Sequence, residues 1–248
     1  MSFTEIHFHL LPGIDDGPSS IEESVALAAA AAAEGTRTIV TTPHVHRQFV
    51  TDPVALKEQV REVQARLTAE RIPISLRCGG ELDLAMPERL SDASLDAVAH
   101  GPRGRRWVLL EAPLRGLEDD YTVVADELRE RGFAVVVAHP ERSFIRPEAA
   151  WRAVEHELAA GSALQLNAWS VAGLYGERTR GTAMALLRQA GRAAIASDAH
   201  GEARMPALRL ALDALTRAGV PDAIRLVSSA PNELLEHGLA VAPDALAA

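Results

Sequence analysis

Short apolar runs alternate with longer stretches of roughly helical period from one end of the chain to the other. The apolar, β-branched-rich runs predict strands over 3–11, 36–42, 73–78, 107–110, 133–138, 163–166 and 193–196. Between them the pattern predicts helices. The first runs to Glu34, with Ser19 or Ser20 as its cap and Gly35 as its stop. Asp52-Pro53 opens a second, which runs to about residue 70 and carries Lys57, Glu58, Arg61 and Glu62 on its wet side. Further helices are expected over 119–131, 147–160, 178–190, 206–218 and 223–237, and a looser polar stretch over 82–106.

Strands that alternate with helices follow the grammar of parallel βαβ units, and runs without polar alternation imply burial on both faces. An open doubly wound sheet and a closed barrel share that grammar. Polar residues end six of the strands at their carboxyl ends, where barrels place their sites, whereas an open sheet uses one crevice. The expectation is therefore an α/β fold, a single (β/α)7 TIM-like barrel in one domain spanning 1–248. No linker, repeat or low-complexity block interrupts it. Gly79-Gly80 is too short for a phosphate or dinucleotide loop.

The strand ends carry the chemistry: His7, His9, Asp16, His44, Glu81, Glu111, His139, Asp198 and His200. In a strand, His7 and His9 point the same way. Five of the chain's nine histidines fall in this set; His46, His100, His156 and His237 are expected on the surface, with His46 near the mouth. Mixed imidazole and carboxylate donors suit Zn, Mn or Fe, and nine of them imply two or three ions with Glu81 among the bridges. Such clusters generate hydroxide near neutral pH and clamp both oxygens of an in-line displacement at phosphorus.

Composition narrows the partners. A formal charge of −9 argues against a surface that grips nucleic acid. The apolar stretch 26–33 is short and bounded by glutamates, and no basic region with an apolar run opens the chain, so neither a membrane span nor a signal peptide is expected. A single cysteine, Cys78, excludes an internal disulfide and suits the cytoplasm. A cysteine-dependent phosphatase would need an arginine six residues on, where Leu84 stands, so Cys78 is expected to be a small core residue.

Taken together, His7-x-His9, Asp15-Asp16-Gly17, Thr42-Pro43-His44, Gly80-Glu81, Glu111, His139-Pro140-Glu141-Arg142 and Ser197-Asp198-x-His200 resemble the polymerase-and-histidinol-phosphatase (PHP) superfamily. More closely they resemble its bacterial tyrosine-phosphatase branch, found with capsular and exopolysaccharide synthesis. The resemblance implies a distorted (β/α)7 barrel with a trinuclear, usually Mn-dependent centre, other divalent ions (Fe, Zn, Mg or Co) being alternatives. By motif, His7, His9, Glu81 and Asp198 would hold one ion, Glu81, Glu111 and His139 a second, and Asp16, His44 and His200 a third. Arg142 matches the family's phosphate-binding arginine; Arg204 matches a second one at a spacing one residue short.

The activity so implied is hydrolysis of a phosphotyrosine protein, the substrate being the C-terminal tail of a bacterial tyrosine kinase supplied in trans. Asp198 or a histidine would shuttle the proton. A PHP phosphatase of a small metabolite such as histidinol phosphate is the first alternative. A catalytically silent regulatory metalloprotein is the second. The helix over 206–218 fits either a homo-oligomer contact or packing on its own barrel.

Overall fold

The computed structural model describes residues 2–241. Its elements run β1 (Phe3–Glu5), α1 (Ile21–Glu34), β2 (Thr36–Thr41), β3 (His44–Val45), α2 (Leu56–Ala69), β4 (Ser75–Cys78), β5 (Glu81–Leu82), α3 (Asp92–Val98) and β6 (Trp107–Glu111). They continue with α4 (Asp119–Glu130), β7 (Ala134–Ala138), α5 (Pro147–Ala159), β8 (Ala163–Asn167), α6 (Ala168–Ala172), α7 (Glu177–Gln189), β9 (Ala193–Ala196), α8 (Leu208–Arg217) and α9 (Ser229–His237). Local chemistry fixes several boundaries as anticipated. Ser20 caps α1 by accepting from the Glu23 amide, and Gly35 ends it at φ 114°.

Every ladder is parallel, in two sheets ordered β1-β2-β4 and β3-β5-β6-β7-β8-β9. Beyond the expected ends of two strands the chain breaks and resumes as the short strands β3 and β5, and the breaks divide the sheets. Thr42-Pro43 separates β2 from β3, because proline removes a ladder donor. Gly79-Gly80 separates β4 from β5. A Cβ on Gly79 would lie 2.7 Å from Val40 Cγ1, and one on Gly80 2.7 Å from Val45 Cγ2, so only glycine lets the chain jog inward there. Counting each broken pair as one leaves seven rungs.

The ring closes between β9 and the segment after β1. Ladder pairing does not continue through that seam. It is stitched by a Phe8–Ala199 bridge, by His9 N–H donating to Ala199 O at 2.9 Å and by Asp198 N–H donating to His7 O at 3.0 Å. The strand expected over 3–11 is thus cut to three residues, with bends at Ile6 and His7. The polar stretch 82–106 holds α3, capped by Ser91.

Two apolar layers organise the interior. Inside the ring, Ile6, Val40, Trp107, Leu109, Ala134, Val136, Ala163 and Ala194 pack together, and Leu234 and Leu235 of α9 close the amino-terminal end. Alternate strand residues, such as Val108, Val135 and Ile195, face the helices instead. Trp107 Nε1–H donates to Leu234 O at 2.8 Å, which ties the plug to the ring. With one mouth plugged by leucine, the polar strand ends are left at the other. No helix among the described residues is long and apolar enough to cross a membrane.

Candidate metal centre

At the carboxyl ends of the strands the apolar layer gives way to polar side chains. Gln165 stands beside Ala138 in register, and Glu111 on that residue's other side. Gln165 Oε1 accepts from His7 Nδ1–H at 2.8 Å, which fixes the tautomer and leaves His7 Nε2 as a lone pair aimed inward. Asp15 does the same for His9: its Oδ2 lies 2.7 Å from His9 Nδ1 and also accepts the His44 amide at 3.1 Å, while its Oδ1 accepts the Gly17 amide at 3.0 Å. Neither supporting residue was among the expected ligands. The aspartate pair after the His-x-His motif was the available signal for Asp15; Gln165, in an apolar run, carries none.

The nine expected donors do come together. Glu81 Oε2 has His44 Nδ1 at 3.0 Å, His7 Nε2 at 3.3 Å and His9 Nε2 at 3.4 Å around it, none in hydrogen-bond geometry. Its other oxygen lies 2.9 Å from His139 Nε2. Asp198 Oδ1 is 3.4 Å from His7 Nε2 and 3.5 Å from His9 Nε2. Asp16 Oδ1 lies 3.4 Å from His44 Nε2 and 3.2 Å from His200 Nε2. Four groups of donor atoms fall within 4.8 Å of one another: His7, His9 and Asp198; His7, Glu81 and His139; His44, Glu81 and Glu111; and His9, Asp16, His44 and His200. The grouping differs from the motif-based partition: Glu81 groups with His7 and His139 and with His44 and Glu111 instead of with His9 and Asp198, Glu111 sits with His44 instead of His139, and His9 joins Asp16, His44 and His200.

This donor set fits divalent ions. Glu81 Oε2 and His200 Nε2 are buried without a hydrogen-bond partner, and imidazole and carboxylate donors converge around them, a polar space suited to a cation. Without one, the cluster's charges must balance internally. Burial lowers the His7 pKa, but the Glu81 and Asp198 carboxylates outweigh it and raise it to about 9. His44, also opposed by burial, is pushed up to about 11 by Glu81 and Asp16. Burial and the neighbouring Glu81 charge push Glu111 up to about 8. Asp16 is held below the usual carboxylate range by His200 and His44.

Two backbone features aim the site. His139 (φ 34°) and Asp198 (φ 50°) both adopt the left-handed region, which is rare for residues with a Cβ and is found where function over-determines the chain. Both follow the last residues of buried strands, β7 and β9, so the reversal turns each side chain back over the ring. Glu5 braces the second turn, with its carboxylate accepting the Ser197 amide and hydroxyl. Arg142 Nη1–H donates to Asp198 Oδ2 at 2.9 Å, and Arg204 Nη1–H to the same oxygen at 2.5 Å. Arg204 thus lies beside Arg142 despite its short spacing, since the Gly201–Arg204 bridge folds the loop back.

The remaining sequence expectations divide. Cys78 lies in β4, partly buried against the core, and burial raises its thiol pKa. His46 is half-buried beside Phe49, with ring centres 5.8 Å apart, on the loop after β3. His156 is a surface partner of Asp126 at 3.2 Å. His100 is a correction: it is half-buried with its ring turned inward, not an ordinary surface residue. Its Nε2 is buried without a hydrogen-bond partner, its ring packs 5.0 Å from Trp107, and its backbone pairs with that residue, so the chain between β5 and β6 folds under the ring.

Comparison with known proteins bears on this centre. A family model described as capsular polysaccharide synthesis, CpsB/CapC, matches residues 3–236. The tyrosine-protein phosphatase YwqE of Bacillus subtilis is 29% identical over 200 residues, 79% of this chain and 76% of its own length. The putative tyrosine-protein phosphatase CapC of Staphylococcus aureus is 29% identical over 210 residues, covering 82% and 78%. A solved structure from a study of Bacillus subtilis YwqE and Streptococcus pneumoniae CpsB, described as unique metal-dependent tyrosine phosphatases, superposes with TM-score 0.80. It is 27% identical and covers 94% of this chain and 93% of that one. An organophosphorus hydrolase from Deinococcus radiodurans shares the fold alone, at 15% identity and TM-score 0.55.

Proposed function

The chain belongs to the CpsB/CapC family of capsular polysaccharide synthesis, and from that membership we propose that it is a metal-dependent protein-tyrosine phosphatase. One observation carries the reading: nine imidazole and carboxylate groups, all but the exposed Asp16 buried or half-buried, converge beside a pair of arginines that share Asp198 Oδ2. That combination holds cations and offers planar donors to phosphoryl oxygens.

The nine donors would hold two or three ions, Mn first, with Glu81 as the shared ligand. When bound, the ions supply positive charge to the phosphoryl oxygens and lower the pKa of water. The chain's own residues do the rest. Arg142 and Arg204 bind the phosphoryl group by transferring donors from Asp198 to it. Asp15 and Gln165 hold His9 and His7 in the tautomers that present Nε2. Asp198, released from the arginines, accepts or returns a proton at its Oδ2. The plugged lower mouth confines water to the open end. No covalent intermediate is required.

The proposed substrate is a phosphotyrosine segment of another protein, with the tail of a bacterial tyrosine kinase as the first candidate. Its proposed setting is the cytoplasm, and its proposed organisation one domain over 1–248. A phosphotyrosine peptide and histidinol phosphate, compared by kcat/KM with the Mn-loaded protein, test the assignment. Turnover of the peptide in preference to histidinol phosphate is expected. The reverse order would keep the centre and replace the substrate.

A further inference from the structure

Next to the arginine pair stands an aromatic pair that the reaction so far leaves unused. The Arg142 guanidinium lies over the Tyr175 ring, 4.9 Å from its centroid. Trp169 tilts against Tyr175 at 5.8 Å, and Trp169 Nε1–H donates to Met205 O at 2.9 Å, next to Arg204. Trp169 is the second residue of α6, directly after β8, and Tyr175 follows that helix, so one short helix–turn segment carries both rings to the mouth. Tyr175 is half-exposed and belongs to neither core cluster, so core packing does not account for it. Leu174, next to it in the chain, and Ile145 and Met205, on the segments after β7 and β9, are exposed large apolar side chains.

We propose that Tyr175, backed by Trp169, is an aryl subsite that takes the ring of a phosphorylated phenol while Arg142 takes its phosphoryl group. The inference rests on the phosphatase reading and adds the source of its substrate class. A phenyl ring joined to phosphorus through a single ester oxygen cannot lie far from a guanidinium that holds the phosphoryl group. The aromatic surface beside that guanidinium is Tyr175. An alkyl phosphate, as in phosphoserine, has no ring to place there. The ring that orients Arg142 would thus also offer the surface that selects aryl esters.

Calorimetry with two non-hydrolysable probes, phenylphosphonate and methylphosphonate, on the Mn-loaded protein separates this from turnover. Wild type is expected to bind phenylphosphonate three- to tenfold tighter, the range of one aromatic contact. Tyr175→Leu should bring the ratio to within twofold of one, and Tyr175→Phe should restore it. The kcat/KM ratio of a phosphotyrosine over a phosphoserine peptide should fall in parallel in Tyr175→Leu. Equal binding of both probes by wild type, with the phosphotyrosine peptide still hydrolysed, would overturn the subsite and leave the phosphatase standing. So would a Tyr175→Leu variant that weakens both probes alike, since Tyr175 would then act only by positioning Arg142. Failure of wild type to hydrolyse any phosphoester would remove both.

Discussion

Replacing Asp15 with asparagine separates a residue that supports a metal ligand from one that is a ligand. Asp15 serves three donors with two oxygens: His9 Nδ1–H at 2.7 Å and the His44 amide at 3.1 Å on one, and the Gly17 amide at 3.0 Å on the other. Asparagine has the same shape but one acceptor oxygen. In either orientation of its amide, an NH2 group faces an N–H donor. If it keeps His9 and His44, the Gly17 contact is lost and the bond to His9 loses its charge assistance. If it keeps Gly17, both others are lost. The smaller loss is about 2 kcal/mol, one unmade bond plus one weakened charge-assisted bond. Expressed on the form with His9 Nε2 free, that is about a 30-fold weaker affinity for the ion it would hold. Competition against a fluorescent chelator at fixed pH measures it, with circular dichroism on the metal-free protein as the control for folding. Affinity within threefold of wild type in a folded Asp15→Asn variant would refute the argument that the carboxylate sets the tautomer.

Arg142→Lys replaces a planar fork with a point charge, and kcat/KM on a phosphotyrosine peptide should drop about 10- to 100-fold with metal content unchanged by elemental analysis. Cys78→Ser should leave kcat within twofold, because a partly buried thiol with a raised pKa is not the nucleophile; a loss beyond tenfold would reinstate thiolate chemistry. His100 gives a pH dependence remote from the metals: burial first, then the Arg106 and Arg77 charges, lowers its pKa from 6.5 to about 3. The unfolded chain therefore binds the proton that the folded one refuses, so this contribution is full above about pH 6.5 and is lost as pH falls toward 3. His100→Gln should flatten the loss of denaturant stability between pH 7 and pH 4 by about 2 kcal/mol, allowing for the ring's partial exposure; identical slopes in variant and wild type would contradict it.

Much of the architecture was legible because strand and helix boundaries here rest on local chemistry. Serine caps, a glycine stop and buried β-branched runs act within a few residues. The convergence of the nine donors was legible for a related reason: a polar residue at the carboxyl end of an apolar strand has little reason to be there unless a site needs it. What was not legible depends on contacts distant in sequence. Glu111 groups with His44 through Glu81, whose strand β5 pairs with both β3 and β6. Asp15 and Gln165 act through histidines that the fold brings to them. His100 looks like a surface residue until the segment between β5 and β6 passes under Trp107. The break of the first strand at Ile6 and His7 lies at the seam with β9, where Asp198 and Ala199, in the segment just after that strand, take the backbone bonds of His7 and His9.

The most direct test of the central claim is metal-restored hydrolysis of a phosphotyrosine peptide. The protein would be stripped with a chelator, reloaded separately with Mn, Zn, Fe or Mg, and assayed beside His9→Ala. The account predicts no turnover in the stripped protein, recovery with a divalent ion, Mn foremost, and loss of that recovery in His9→Ala. Turnover that persists after complete stripping, or a fully loaded centre that hydrolyses no phosphoester, would contradict it.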